Sequence, residues 1–263
     1  MIELTRYFRL WLKLASQSFM RELLDRWNAG LFLAGKLMRF AFFVAFLLAL
    51  FADAPIIGGY SKEQMLIFFL TFNILDTATQ LFYREVYRFR PMVVSGDFDL
   101  VLTKPMSALF RVLAGGADPL DFYMLILYVG LLVYIVIQMG VVSFISVASY
   151  LLLLINGFVI ATGFHILVLA LAIVTTEVDH TIMIYRDLTM MGRVPTDMYH
   201  QPIRGILTFA LPIGLMMTVP AKALMGLLSP WMLLLSPVLG LLFIVLCLRV
   251  WQYALSQYAS ASS

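Results

Sequence analysis

Residues 149–175 read SYLLLLINGFVIATGFHILVLALAIVT, a run of 27 positions without a formal charge. As a helix rising 1.5 Å per residue it would be about 40 Å long, more than the ~30 Å hydrocarbon core of a bilayer. Counted back to Val141 the run holds 35 residues, too few for two crossings and too many for one. An elbow near Ser149, on the outer side, is the expected solution. Five further apolar blocks flank this one, at 30–52, 65–83, 122–139, 204–219 and 231–251. Most approach the ~20 residues of a single crossing. Block 204–219 is short unless it runs past Pro220 into 221–228. That piece, bracketed by Pro220 and Pro230, is expected as a small re-entrant helix on the outer side.

Composition agrees. Of 263 residues, 62% are hydrophobic and 13% charged, with a mean hydropathy of +0.95. A soluble domain carries about a quarter charged residues, so lipid must be the solvent for much of this chain. Nothing resembles a basic patch interleaved with aromatics for nucleic acid. The single cysteine, Cys247, permits no internal disulfide. Nearly thirty mixed residues precede the first block and no small-residue cleavage site follows a short apolar core, so no cleavable leader is expected.

Charge sets the orientation. With the N-terminus inside, sixteen basic residues fall on or near the cytoplasmic side, among them Arg186, Arg193 and Arg204, and only Lys62 and Lys222 fall outside. That bias predicts six transmembrane helices with both termini cytoplasmic, an all-α polytopic membrane protein. The outer loops are then short and the inner ones long, at 84–121 and 176–203, so a cytoplasmic partner is expected. Residues 1–29 are set apart from the six-helix domain, 30–263. In 2–26, Leu4, Phe8, Trp11, Ala15 and Phe19 step by three or four while Arg6, Arg9, Lys13 and Gln17 take other faces. Such a helix lies along the membrane surface or packs on a partner.

Catalytic signatures are lacking. The sequence has no GK[ST] phosphate loop, no HExxH, no paired cysteines and no GxSxG elbow. His165 stands alone in its block, Asp179 and His180 lack further ligands at metal spacing, and His200 sits at a membrane entry. No enzyme activity, bound cofactor or metal is expected of this chain. One carboxylate, Asp76, lies within a crossing, with Asn73, Thr77 and Gln80 within a turn. Its insertion costs about 2.5–3.5 kcal/mol, so a partner is expected. Asp76 lies about 10 Å from the inner end of its block, Arg39 about 13 Å and Lys36 about 9 Å from the inner end of theirs. Matching depths predict an ion pair between the first two crossings; a substrate or coupling contact is the alternative.

The loop between blocks two and three reads VSGDFDLVLTKPMSALFRVL from Val94 to Leu113. Gly96 allows a tight turn, Asp97 or Ser95 can cap, and Pro105 favours a helix start. Met106, Leu109, Phe110 and Leu113 then form one apolar stripe, to be docked in a partner's groove or laid in the lipid interface. The segment resembles the G-x-[FL]-D-x-x-L-x-[KR]-P pattern of ABC-2-type permeases, in the DUF990-like branch. The same branch is matched by Arg193-Val-Pro195 through Tyr199, by Ile206-Leu-Thr-Phe-Ala-Leu-Pro212, by Val219-Pro-Ala221, where valine replaces the usual aromatic, and by Leu224-Met-Gly226.

The resemblance, which spans nearly the whole chain, implies the fold of a type V ABC exporter and a permease subunit in the bacterial cytoplasmic membrane. Its expected partners are a second, homologous permease, in this branch often a non-identical one, and two ATP-binding subunits that hold ATP and Mg. It also implies that 1–29 is the connecting helix. Gly96, Asp97, Asp99, Pro105, Met106, Leu109, Phe110 and Leu113 would form the coupling helix that contacts the ATPase. A secondary transporter or a non-catalytic assembly subunit is the rival reading. The former would rest its ion coupling on Asp76 alone, without inverted repeats.

Overall fold

The structure is a computed structural model and describes residues 2–24, 26–140, 143–175 and 178–258. The described residues are mostly helical, and the only strands among them form one two-residue hairpin, Ile56–Ile57 with Tyr60–Ser61. Helix α1 (Ile2–Leu24) precedes α2 (Arg26–Asp53). The hairpin turns the chain back into α3 (Lys62–Tyr83). Ser61 caps α3, its hydroxyl accepting the Gln64 N–H while the Gln64 side chain accepts the Ser61 N–H, so two orphan donors are satisfied at once.

The long loop folds into three short helices, α4 (Phe89–Val94), α5 (Asp97–Leu102) and α6 (Ala108–Ala114). Helix α7 (Pro119–Gln138) returns to the hairpin end, and α8 (Phe144–Thr175) comes back. Then follow α9 (Val178–Met190), a re-entrant stretch containing α10 (Ile203–Gly205) and α11 (Val219–Leu224), and finally α12 (Pro230–Ser256). Among the described residues five helices are long and apolar enough to cross a bilayer, and the pair Ile203–Ala210 and Gly214–Leu224 together reaches that length.

Two expectations are corrected. First, α8 is one continuous helix of 32 residues with no elbow at Ser149. Its extra first turns leave Phe144 and Ile145 exposed. No proline or left-handed residue interrupts 144–149, so nothing opposes helix propagation there.

Second, the return from the end of α8 to the start of α12 is made by residues 178–198, not 204–219. Helices α8 and α12 run parallel: Asn156 bonds Ser236, and Gly163 packs on Phe243 and Cys247. The chain between them must therefore climb the bundle. Tyr185 lies against Phe164 and His165 of α8. Arg193 sits over the rings of Phe43 and Phe72, in the middle of α2 and α3, at 5.6 and 5.4 Å. Asp197 reaches Tyr60 in the hairpin, and Met198 crowds Gly58 there.

Residues 203–224 then dip and return. Arg204 and Lys222, at its two ends, both bind Asp197, at 2.9 and 2.5 Å. Its middle reaches the depth of Gly157 and Leu75, since a Cβ on Gly157 would come within 2.6 Å of the Met216 carbonyl. The two arms bend by 76°. The break is at Leu211, extended before Pro212, whose missing N–H and ring oppose an unbroken helix. Wide π-helical turns at Ile206–Ala210 and Gly214–Thr218 flank it. Arg204 thus belongs to the hairpin end, and Arg186 and Arg193 to the bundle, not to an inner loop.

Candidate coupling loop and intramembrane basic groove

Beyond α3 the chain makes a tight helical turn, Arg84–Arg88, and enters α4. Gly96 has φ +79°, a left-handed conformation that glycine adopts without strain. Ser95 serves the next turn: its hydroxyl accepts the Asp97 N–H and donates to the Asp97 carboxylate at 2.8 Å. One residue on, Phe98 is wholly buried, edge-on to Phe89 and to Tyr258 beyond the end of α12, both at 5.1 Å. Burial, and then the neighbouring Asp99 carboxylate, push the Tyr258 phenol above its ordinary value. Phe98, which the sequence reading passed over, is the anchor of this motif. Its signal is one large aromatic in an otherwise polar turn.

Pro105 does not begin a helix. It lies in the turn ahead of α6, whose cap is Ser107, accepting the Phe110 N–H. Helix α1 binds this turn. Arg6 donates to the Pro105 carbonyl at 2.6 Å, the Ser107 N–H donates to the Tyr7 hydroxyl at 3.0 Å, and the Tyr7 and Phe110 rings meet at 4.7 Å. The stripe expected to face a partner therefore packs on its own chain: Leu109 and Leu113 lie on the core, Phe110 under α1, and Met106 is half-buried. Glu85, buried at the foot of α3, fixes α6 from beneath by accepting from Arg111 at 2.7 Å, with Arg88 at 3.7 Å. The apolar surface left open is a different one, Val94, Leu100 and Leu102, with Asp97 and Lys104 exposed beside it.

The polar residues within the bundle are rearranged as well. Lys36 pairs with Asp121 at 2.6 Å and with Asp118 at 3.7 Å, at the start of α7, and not with Asp76. Arg84 approaches Asp118 at 3.8 Å. Asp76 accepts from the Gln80 amide at 2.8 Å, while Asn73 turns back to the Phe69 carbonyl. The charges acting on Asp76 are those of Arg186, then Arg39, then Arg193. Among the described residues no cation lies within 4 Å of Asp76. The expected pair between the first two crossings is thus a wider cluster, completed by two arginines from the climbing segment.

A groove of about 580 Å³ opens along this cluster, lined among others by Leu31, Phe32, Lys36, Arg39, Arg84 and Arg186. A small cavity of about 40 Å³ follows beyond Arg39, bounded by Asn73, Tyr128 and Arg193. His165 is buried, with Nδ1 at 2.8 Å from the Ala161 carbonyl. The side chains of Asp179 and His180 lie outside the described residues, and His200 is exposed. Among the described residues no three His, Cys, Asp or Glu side chains come together as metal ligands would.

Compared with known proteins, residues 37–262 match a family model described as an ABC-2 family transporter protein. No curated protein and no solved structure matches the chain.

Proposed function

This chain belongs to the ABC-2 transporter family, as a multi-pass membrane permease component of an ABC transporter, and from that premise we propose the finer assignment. It is one of two permeases of an exporter in a bacterial cytoplasmic membrane, driven by separate ATP-binding subunits that press on the 89–106 loop. The observation that carries this reading is the loop itself, a knuckle at one end of the bundle with an open apolar tip. Val94, Leu100 and Leu102 are exposed, while Phe98 directly beneath them is buried under Tyr258.

A push on the tip has three routes into the membrane. It reaches α12 through Phe98, α1 through the Arg6 and Tyr7 bonds, and α3 through the Glu85–Arg111 pair. Closure of the ATP-binding subunits would tilt these elements as units, because packed interfaces shift between discrete arrangements.

The test is co-purification of the ATP-binding subunits with the native complex in mild detergent. Leu100→Asp with Leu102→Asp should leave insertion intact and strip the ATPase, since anchor residues typically carry about 2 kcal/mol or more each. Leu109→Asp is a poor probe, as it charges the loop's own core. Wild-type retention of the ATPase by the Leu100/Leu102 variant would remove this loop as the docking element. Sidedness is checked separately with an impermeant maleimide on intact cells, in a Cys247→Ser background. Cysteines at 62 and 204 should label and one at 90 should not; labelling at 90 but not 62 reverses the orientation.

A further inference from the structure

Arg39 is exposed on α2 some 18 Å from Trp27, the first residue of that span, at 1.5 Å per residue. An arginine facing hydrocarbon at such depth costs about 2.5–3.5 kcal/mol even on the mildest scale, so this face meets something polar. The other charges around it define what. Lys36 is matched by Asp121, and Arg84 stands nearest Asp118. Three guanidiniums remain, Arg39 and Arg186 lining the groove and Arg193 lining the small cavity beyond Arg39, all within electrostatic reach of a single carboxylate, Asp76. The formal surplus is positive, and Arg193 in addition keeps a buried Nε donor without a protein acceptor among the described residues. A cationic cargo would be repelled here, whereas an anion would supply what the cluster lacks.

The walls specify the rest of the molecule. Leu31 and Phe32 are exposed at the groove's edge, Gly35 offers no side chain, and Asn28 lies nearest the end of α2. At about 580 Å³ the groove takes a headgroup and the first part of a chain, not a whole lipid. We propose that it binds the anionic head, a phosphate or carboxylate, of an amphiphile that enters sideways from the bilayer. Arg39 and Arg186 make the first contacts and Arg193 lies beyond. Resting on the exporter reading, this names the cargo class as anionic amphiphiles. Planar guanidiniums suit it, since they present paired donors to phosphate or carboxylate oxygens.

The test uses the native complex in phosphatidylcholine nanodiscs doped with spin-labelled phosphatidylglycerol or spin-labelled phosphatidylcholine. Immobilised label is read alongside basal ATP hydrolysis. Wild type should hold the glycerol lipid several-fold over the choline lipid. Arg39→Gln with Arg186→Gln should abolish that preference, and Lys62→Gln, at the hairpin end, should keep it. Preference persisting in the double variant overturns the site, and so does displacement of the lipid by millimolar inorganic phosphate, which would mark a small-anion site. A cross-link from position 39 to the second permease, with no immobilised lipid, overturns it too and assigns the face to an interface. Loss of ATP hydrolysis from a wild-type complex that retains the preference counts against the exporter reading and not against the groove.

Discussion

Helices α8 and α2 carry nearly the same message in sequence and meet opposite fates in structure. Their best 18-residue windows have mean hydropathies of 2.4 and 2.0, yet 67% of the first is buried inside the protein and 6% of the second. The difference lies in what punctuates the apolar run. In α8, Asn156 reaches the Ser236 carbonyl and hydroxyl, both at 3.1 Å, and Gly157 and Gly163 admit close neighbours. In α2, Gly30 and Gly35 face open space, and the large residues Phe32, Phe42 and Phe46 are exposed. Hydropathy decides that a helix enters the bilayer. Small and amide residues decide which helix is packed from all sides, because apolar burial gains little when the alternative is lipid.

The comparison is most sharply tested by enlarging glycines. Gly157→Leu should be the largest effect, since its Cβ would meet the Met216 backbone carbonyl at 2.6 Å, which has no rotamer to escape through. A loss of about 3 kcal/mol is expected, read as a fall in thermal midpoint of the lone chain in nanodiscs. Gly35→Leu on α2 should be nearly silent in the same measurement. If both are silent, or both harmful, the contrast is wrong.

Asn156→Leu comes next. It removes the amide that joins α8 to α12 and leaves Ser236 without its partner, for a cost of about 1–3 kcal/mol.

A smaller effect belongs to the hairpin end. Burial pushes the Asp197 carboxyl up, but hydrogen bonds from Lys222 and Tyr60 more than offset this and leave it below its ordinary value. A carboxyl depressed on folding contributes stability above its unfolded value, about 3.9, and loses it as pH falls through the folded value. Acid below about pH 4 should therefore loosen the clamp between the climbing segment and the re-entrant stretch. Accessibility of a cysteine in place of exposed Phe209, on the re-entrant stretch, would report the change. Asp197→Asn should remove that pH dependence, and a wild-type profile in the variant would acquit this residue.

The smallest effect expected on the lone chain, under about 0.5 kcal/mol, is from Phe42→Ala on the bare face of α2. Destabilisation beyond about 2 kcal/mol would show that this face is already packed within one chain.

Legibility followed the same divide. The apolar lengths of 30–52, 65–83, 122–139 and 231–251 marked crossings because every backbone polar group in lipid must be satisfied within its own helix. The Gly96 turn was legible for a similarly local reason, one residue and one backbone conformation. Residues 178–198 were not legible, since Arg186, Asp187 and Arg193 make them look like a loop. They climb through protein, where Phe43 and Phe72 receive Arg193 and Asp76 feels both arginines. Likewise the stripe Met106, Leu109, Phe110 and Leu113 has helical spacing, but spacing does not say which partner covers it. Here α1 and the chain's own core do.

By itself, then, the sequence determined that this is a helical, multi-pass membrane protein, and its motifs placed it among ABC-2 permeases. Those properties sum over residues taken one at a time: transfer to lipid, helix period, the sign of flanking charge. Only the tertiary structure decided that Lys36 belongs to Asp121, that Phe98 locks the loop to the end of α12, and that three arginines gather around one aspartate beside an open groove. Each of these joins residues distant in the chain, and their pairing depends on distance in space, which no local pattern encodes.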